Sequence, residues 1–350
     1  MMAPCDEPQT PLAFPLGETL PDAGQCLPVA EGVFWLRLPL PFALNHINLW
    51  LLQDGDGWTL VDCGYGSKHS RALWQPLLDG LLAQQPLRRI IVTHDHPDHI
   101  GLADWLMQQT GAQLWMSESE FLAAHAVWHD LAGFECAQMV EMYRRHAVPQ
   151  PMLDLLAANG SQYRKGVPSL PGSFNRLLPG DTLSINGREW HTIVGYGHSP
   201  EHMCLYCPSL DLLISGDMLL PSISTNISVW ATEPDGNPLK LFLDSLARLA
   251  PLPPHTCVLP SHGRPFVGIQ PRIDWLRWHH RQRLNALLAF CATPKTAVDV
   301  LPVLFERDLD AYQLFFAVGE AIAHLNYLWR AGQLAREQDQ SGVYRFVRVL

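Results

Sequence analysis

The chain has 350 residues, of which 47% are hydrophobic and 17% are charged, the balance of an ordinary globular protein. It carries 24 basic against 34 acidic residues, so its formal net charge is −10, whereas a protein that binds nucleic acid without sequence preference normally shows a basic stripe. No segment approaches the roughly 18 consecutive apolar residues of a membrane span. We therefore expect neither a nucleic-acid partner nor a membrane partner.

The first 30 residues are Pro-rich and acidic, without the basic start and apolar core of a signal peptide. They predict an extended arm on the surface of the following domain. The eight cysteines follow no spaced framework. Cys204 and Cys207 lie three apart in an apolar run that predicts a strand, so they face opposite sides and are not expected to pair. Reduced thiols predict a cytoplasmic protein.

The first half of the chain predicts a hairpin followed by a helix. Residues 32–38, 46–52 and 58–61 are apolar and indicate three strands, and residues 70–82 repeat leucine with helical spacing. His46 stands at the start of the second strand. Its side chain is expected to make a hydrogen bond there, although it could also reach a site at the strand ends.

The most informative segment is residues 93–99, which reads Thr-His-Asp-His-Pro-Asp-His. It lies between an apolar, β-branched stretch that predicts a buried strand and a stretch with helical spacing. A loop in this position lets a rigid scaffold aim side chains into a cleft. Alternation along an extended loop would place His94, His96 and Asp98 on one side and leave His99 for a second centre.

Three further polar residues each close a predicted apolar strand: His198, Asp217 and His262. A Gly or Pro beside each of them marks a tight turn at the strand end. Together with the four donors of the 93–99 run, they supply five imidazoles and two carboxylates. This donor set suits two divalent metal ions, zinc by preference, while iron or manganese would accept the same ligands.

This ordered set of motifs resembles the metallo-β-lactamase superfamily and, within it, the glyoxalase II-like dinuclear hydrolases. The resemblance covers residues 32–266 and rests on Leu-Val-Asp-Cys-Gly at residues 60–64, the 93–99 run, His198, Asp217 and His262, in the family's order. It implies an α/β fold of the αββα type, in which two packed sheets are covered by helices on both outer faces. The hydrolase domain would occupy residues 31–270.

The resemblance also divides the matched donors into two metal sites with one shared carboxylate: His94, His96 and His198 for the first, Asp98, His99 and His262 for the second, and Asp217 as the bridge. Asp98 and Asp217 would be the catalytic carboxylates, with Asp98 also orienting the attacking hydroxide.

Two nearby residues would support the ligands. Asp62 would hold the ligand loop from behind, although capping the turn before Gly64 explains an aspartate there equally well. His202 lies outside the family's ligand pattern and is expected to pack against a ligand or hold one in place. Glu201 departs from the pattern, since many relatives have glycine there. Its side chain either adds a charge at the metal rim or points outward.

Residues 117–176 form an unusually long connection with partly helical spacing. They predict a helical insertion that either covers the metal cleft or forms the surface of a homodimer. The histidines within it are expected to lie on helix surfaces or to pack rather than to bind metal. Further on, Ser224 and Asn226 offer a hydroxyl and an amide that would line the substrate pocket, although turn chemistry explains them about as well.

Residues 271–350 predict a separate C-terminal domain. An apolar stripe along residues 314–328 indicates a helix, and residues 333–336 and 343–347 indicate a hairpin. Helices followed by two strands resemble the winged-helix-like C-terminal domain of some superfamily hydrolases. Arg277 and Arg281 lie four apart on one helix face. They form either a solvated face or, as in relatives of the glyoxalase II type, a clamp for an anionic part of the substrate.

These features together predict a metal-dependent hydrolase in which a hydroxide shared by two ions attacks a small or medium acyl group. A thioester of the acyl-CoA or acylglutathione type is favoured over an amide because a thiolate leaves without a proton. Related esters and lactones fit the same chemistry. The enzymatic alternative is a dinuclear phosphodiesterase or ribonuclease, which the acidic charge disfavours. The alternatives of another class are a non-catalytic metal-binding protein and an oxygen-using mononuclear iron enzyme on the same scaffold. The complete set of seven donors disfavours both.

Overall fold

Two β-sheets packed face to face form the centre of the molecule. The computed structural model describes residues 7, 11–305, 309 and 311–349. The first sheet contains seven strands in chain order: β1 (Cys26–Ala30), β2 (Val33–Pro39), β3 (His46–Asp54), β4 (Gly57–Val61), β5 (Leu87–Ile91), β6 (Gln113–Met116) and β7 (Asn175–Arg176). The second contains six, from one edge to the other: β13 (Phe266–Val267), β12 (Cys257–Pro260), β11 (Leu212–Gly216), β10 (His202–Cys207), β9 (Arg188–Gly195) and β8 (Thr182–Ile185).

Helices cover the outer face of each sheet. Those that pack on the first sheet are α1 (Lys68–Asp79), α2 (Leu81–Gln84), α3 (Pro97–Ile100), α4 (Ala103–Thr110), α5 (Glu118–Trp128) and α8 (Tyr163–Gly166). Those that pack on the second are α6 (Cys136–Arg145), α7 (Gln150–Asn159), α9 (Pro238–Leu249), α10 (Ile269–Phe290), α11 (Leu301–Leu304) and α12 (Ala311–Arg330). The four layers confirm the predicted αββα architecture.

The pattern of β3 shows how the sequence builds these layers. Successive strand residues point to opposite faces, so Trp50 and Leu52 enter the core between the sheets while Leu49 and Leu51 enter the core under the helices. All four side chains are buried. A strand buried on both faces has a nearly continuous apolar sequence. The sequences of β3 and β4 have this character.

The insertion between β6 and β7 is helical, as predicted, and comprises α5 to α8. Its middle part contacts the C-terminal region. Tyr143 donates its hydroxyl hydrogen to the backbone oxygen of Phe315 at 2.9 Å, and the buried ring of His146 stacks on Phe346. His125, by contrast, interacts through Nε2 with the backbone oxygen of Pro171. The insertion is therefore packed between the two parts of the chain.

The C-terminal part begins with α10 and ends with the hairpin β14 (Leu334–Gln338) and β15 (Tyr344–Arg348), close to the predicted bounds. Its apolar stripe belongs to the same buried cluster as the outer face of the second sheet.

The N-terminal arm is shorter than predicted, because residues 26–30 form β1 of the first sheet rather than part of the arm. Leu27 and Val29 pack against the core between the sheets. The sequence did not predict this strand because Pro28 disfavours strand structure. Proline is tolerated on an edge strand such as β1. Residues 1–6 and 8–10 lie outside the described part of the chain. Ala13 pairs with Val267 through two backbone hydrogen bonds, so the described arm lies along the edge of the second sheet.

Two further findings bear on the composition. The described cysteines are free, Cys204 and Cys207 among them, while Cys5 lies outside the described residues. Within the described ranges, no helix has both the length and the apolarity that crossing a bilayer requires.

Candidate metal centre

The loops after β5, β9, β11 and β12 bring together the seven donors that the sequence identified. The donor atoms form two groups, and within each group all of them lie within 4.8 Å of one another: His94, His96, His198 and Asp217 in the first, and Asp98, His99 and His262 in the second. Both groups are largely buried. The sequence prediction that these strand ends meet at one edge is therefore correct.

Asp217 lies between the two groups. Its Oδ2 is 3.3 Å from Nε2 of His198, while its Oδ1 is 3.5 Å from Nε2 of His262 and 3.7 Å from Nε2 of His99. Burial alone would raise the pKa of Asp217, but the nearby imidazoles, first that of His262, outweigh this and hold it well below its ordinary value. The carboxylate is therefore ionised and directs one oxygen to each group.

Asp98 belongs to the second group, with Oδ2 3.4 Å from Nε2 of His262 and 3.7 Å from Nε2 of His99. The expectation from extended alternation, which placed Asp98 beside His94 and His96, is therefore wrong. The reason is local, because Pro97 begins the single helical turn α3. In a helical turn, neighbouring side chains no longer alternate between two sides.

Three imidazoles are oriented by oxygen atoms behind them. A ring that donates from Nδ1 keeps the lone pair on Nε2, which then faces the centre. Each of the three Nδ1 atoms lies 2.8 Å from its partner: His99 from Oδ2 of Asp62, His198 from the backbone oxygen of Asn226, and His262 from the backbone oxygen of His46.

Asp62 directs its side chain at the ligand loop. Besides its contact with His99, it accepts hydrogen bonds from the backbone N–H of Thr93 at 2.8 Å and from the Thr93 hydroxyl. Its backbone has a φ of 62°, a conformation that costs a non-glycine residue about 1 kcal/mol or more. The surrounding bonds offset this cost, and the strained turn after β4 carries the carboxylate to its place.

His202 is fully buried behind the first group. Its Nε2 accepts a hydrogen bond from the backbone N–H of Asp217 at 3.0 Å, and its ring lies 4.8 Å from that of His94. Burial, followed by the neighbouring His198, lowers its pKa well below the ordinary value. A neutral ring can accept this bond, so His202 holds the loop that carries Asp217.

The two groups differ in their electrostatics. Burial and then neighbouring imidazoles lower the pKa of His94 well below its ordinary value and that of His96 to about 3, so both rings are neutral and offer a lone pair. In the second group, burial alone would lower the pKa of His99, but the carboxylates around it, first that of Asp62, raise it to about 9. These carboxylates attract positive charge, which a bound cation supplies in place of a proton.

Unpartnered buried atoms test whether the site suits a metal. Nε2 of His99, Nε2 of His262 and Oδ1 of Asp217 make no hydrogen bond within the described residues. A buried polar atom without a partner costs about 1–3 kcal/mol, and here three of them face the same point. Nitrogen and carboxylate donors in this number are ligands for divalent zinc, iron or manganese, so the residues fit the ions that the sequence predicted.

Asn226 and Ser224, the two residues predicted to line the substrate pocket, lie in the segment after Asp217. The backbone oxygen of Asn226 orients His198, and its side chain contacts the hydroxyl of Ser228 at 2.7 Å and Oε2 of Glu320 at 3.4 Å. Asn226 therefore supports a ligand and joins it to α12. Ser224 is half-buried in the same segment.

Arg277 and Arg281 are exposed on the face of α10 that is turned toward α9 and α12. They line a groove of about 390 Å³ together with Leu243, Asp244, Ala247, Leu284 and Tyr327. Its lining includes none of the seven donors. A different arginine of α10 contacts the segment after Asp217, because Arg272 donates to the backbone oxygens of Leu220 and Ile223, both at 2.6 Å.

Sequence reasoning missed several buried residues that hold the ligand loops. Asn48 on β3 donates to the backbone oxygens of Pro260 and Gly263, on either side of His262. Glu120 on α5 is also fully buried and bonds to the loops of the first group. Neither residue stands in a motif, so a single sequence offers no signal that would have identified it.

Comparison with known proteins agrees with this site. Residues 44–262 match the family model of the metallo-beta-lactamase superfamily, and residues 284–349 match that of the metallo-beta-lactamase-like C-terminal domain. The first match alone covers more than half of the chain. The chain therefore belongs to the metallo-β-lactamase superfamily of metallo-hydrolases, with a His/Asp cluster able to hold metal ions.

A crystal structure of a beta-lactamase domain protein from Burkholderia ambifaria is 45% identical, covers 97% of this chain and 98% of its own, and has a TM-score of 0.89. The probable metallo-hydrolase YqjP of Bacillus subtilis is 27% identical over 307 residues, 85% of this chain and 92% of its own.

Two further relatives, which match shorter parts of this chain, have names that state an activity. The hydroxyacylglutathione hydrolase of Rhodobacter capsulatus is 29% identical over 218 residues, 61% of this chain and 64% of its own. The human acyl-coenzyme A thioesterase MBLAC2 is 25% identical over 203 residues, 55% of this chain and 64% of its own.

Proposed function

We propose that the protein is a dinuclear metal hydrolase that cleaves a small acyl thioester of the acyl-CoA or acylglutathione type, or a related ester or lactone. The observation that carries the proposal is that Asp217 lies between two groups of three other donors, and that all seven donors except the half-buried His96 are buried. One group would hold each ion, and zinc is the metal that this donor set favours. When bound, two such ions supply a hydroxide at neutral pH and polarise the scissile carbonyl.

The residues of the chain then have distinct tasks. Asp217 fixes the position of the two groups relative to each other, since each of its oxygens faces one of them. Asp98, 3.4 Å from His262, presents a carboxylate that can orient the attacking oxygen. The oxygens of Asp62, Asn226 and His46 each bind Nδ1 of one imidazole and so orient its Nε2 toward the centre.

Two arguments favour a thioester among acyl substrates. A thiolate leaves without accepting a proton, so the reaction needs no general acid besides the centre itself. The names of two relatives point to the same class of bond, one to hydroxyacylglutathione and one to acyl-coenzyme A.

The test is the release of free thiol from a panel of acyl-CoA and acylglutathione thioesters, with p-nitrophenyl esters and a lactone for comparison. The proposal predicts turnover of at least one thioester, its loss after chelator treatment and its return with added Zn²⁺. Turnover of a phosphodiester alone, or thioester turnover that a chelator does not reduce, would contradict it.

A further inference from the structure

The side chain of Glu120 joins two loops that come from different sheets. It lies in the first turn of α5, within the helical insertion, and is fully buried. Its Oε2 accepts a hydrogen bond from the backbone N–H of Asp95 at 2.9 Å. Its Oε1 accepts from the hydroxyl of Ser199 at 2.6 Å and from the backbone N–H of Glu201 at 2.7 Å. One rigid carboxylate therefore sets the distance between the two loops.

Each of these bonds reaches a position beside a candidate ligand of the first group. Asp95 stands between His94 and His96, and Ser199 follows His198 directly. The loops that Glu120 joins therefore supply all three imidazoles of that group. Nε2 of His94 lies 3.2 Å from Nε2 of His198, so the two loops bring their donor atoms close together.

Two other residues of the insertion strengthen the link. Tyr163 in α8 donates its hydroxyl hydrogen to the backbone oxygen of Asp95 at 2.5 Å. Ser117, just before α5, donates to the backbone oxygen of Glu201 at 3.0 Å. The insertion thus contacts the first ligand loop from two of its helices, and it contacts the second ligand loop from the start of α5.

The second group is held from elsewhere. His99 is oriented by Asp62 after β4, and His262 is oriented by the backbone of His46 at the start of β3. Asn48 on the same strand fixes the turn around His262. These supports belong to the first sheet. The supports of His99 and His262 therefore lie outside the insertion, and Asp62 also fixes Thr93, the residue before His94.

We propose that the helical insertion positions the first metal group, and that Glu120 is its positioning residue. The inference depends on the metal-binding part of the proposed function, but not on the identity of the substrate. Residues that orient ligands without touching the metal commonly change metal affinity by about 10- to 100-fold when altered. Loss of the Glu120 carboxylate is therefore expected to weaken one of the two metal sites and leave the other intact.

The experiment is a titration of metal-free Glu120→Gln with Zn²⁺ in the presence of a chromophoric chelator, together with the visible spectrum of the Co²⁺ form. Glutamine keeps one oxygen but presents an amide N–H₂ to one of the two backbone donors, so at least one bond is lost. We expect two sites in the wild type. In the variant, we expect one site of unchanged affinity and one weakened by about 10- to 100-fold.

Two variants make the result specific. Tyr143→Phe removes a buried hydrogen bond in the same insertion, made to Phe315 rather than to a ligand loop, and should lower Tm without changing either metal affinity. Ser199→Ala removes a single bond to Glu120, and it should weaken the same site by a smaller factor.

The outcomes separate the two proposals. If Glu120→Gln behaves like Tyr143→Phe, with lower Tm and two unchanged affinities, the positioning role is wrong. If Glu120→Gln does not fold, unchanged affinities in Ser199→Ala would overturn it instead. A wild type that binds no metal under the same conditions would contradict the dinuclear function itself.

Discussion

The backbone N–H of Asp217 donates a hydrogen bond to Nε2 of His202 at 3.0 Å, and this bond fixes the carboxylate that lies between the two donor groups. His202 thereby acts on both groups through one neighbour. The position of Asp217 depends on this contact and on the turn after β11, and the whole centre depends on the position of Asp217.

Replacement of Asp217 by Ala is expected to reduce kcat/KM by about three orders of magnitude or more, because it removes a donor from both groups at once. Steady-state thiol release measures the loss, and circular dichroism checks that the variant is folded. Near-normal turnover by a folded Asp217→Ala protein would remove this carboxylate from the mechanism.

Glu320 gives a prediction for stability against pH. It is buried in α12 beside Asn226, Arg283 and His324, and burial raises its pKa to about 7, although Arg283 opposes the shift. The folded protein therefore retains the proton of Glu320 up to about pH 7, whereas the unfolded chain loses it above about pH 4.5. The stability that the neutral carboxyl contributes is full below pH 4.5 and is lost as the pH rises to 7.

Glu320→Gln keeps a neutral side chain at every pH. The variant should match the wild type near pH 4.5 and exceed its free energy of unfolding by on the order of 1–3 kcal/mol at pH 8. Denaturant unfolding of both metal-free proteins at the two pH values measures the difference. A difference that is the same at both pH values would show that folding does not raise the pKa of Glu320.

The sequence predicted the metal ligands well, because they lie in short motifs or next to strand ends. The 93–99 run and the single polar residues after β9, β11 and β12 identified all seven donors, because strand ends of an α/β fold meet at one edge. It was a poor guide to Glu120 and Asn48, which hold loops distant in sequence through backbone contacts. The alternation argument failed at Asp98, since one proline converts the end of the loop to a helical turn.

We propose that Arg277 and Arg281 bind the anionic carrier of the thioester in the groove that they line. If the carrier binds there, Arg281→Ala should raise KM for carrier-linked thioesters by about 3- to 10-fold and leave small neutral esters nearly unchanged, the signature of lost uniform binding. Arg88, which pairs with Asp56 and does not line the groove, offers a control in Arg88→Ala, which should alter neither KM. Equal effects of Arg281→Ala on both kinds of substrate would show that the two arginines form a solvated helix face and do not bind the carrier.

We further expect the C-terminal region not to bind nucleic acid. Phosphate contacts dominate such affinity, and the chain has a formal net charge of −10. Fluorescence anisotropy with labelled RNA and duplex DNA at physiological salt should show no submicromolar binding. Tight, salt-sensitive binding would instead support the phosphodiesterase or ribonuclease alternative.

The most direct test of the account is the number of metal ions per chain. Protein purified without chelator, supplied with Zn²⁺ and freed of excess ion should contain two ions per chain by elemental analysis. The reason is that Asp217 directs one oxygen to each of two groups of three other donors. A firm value of one ion or none, with added manganese and iron giving the same result, would contradict a dinuclear centre.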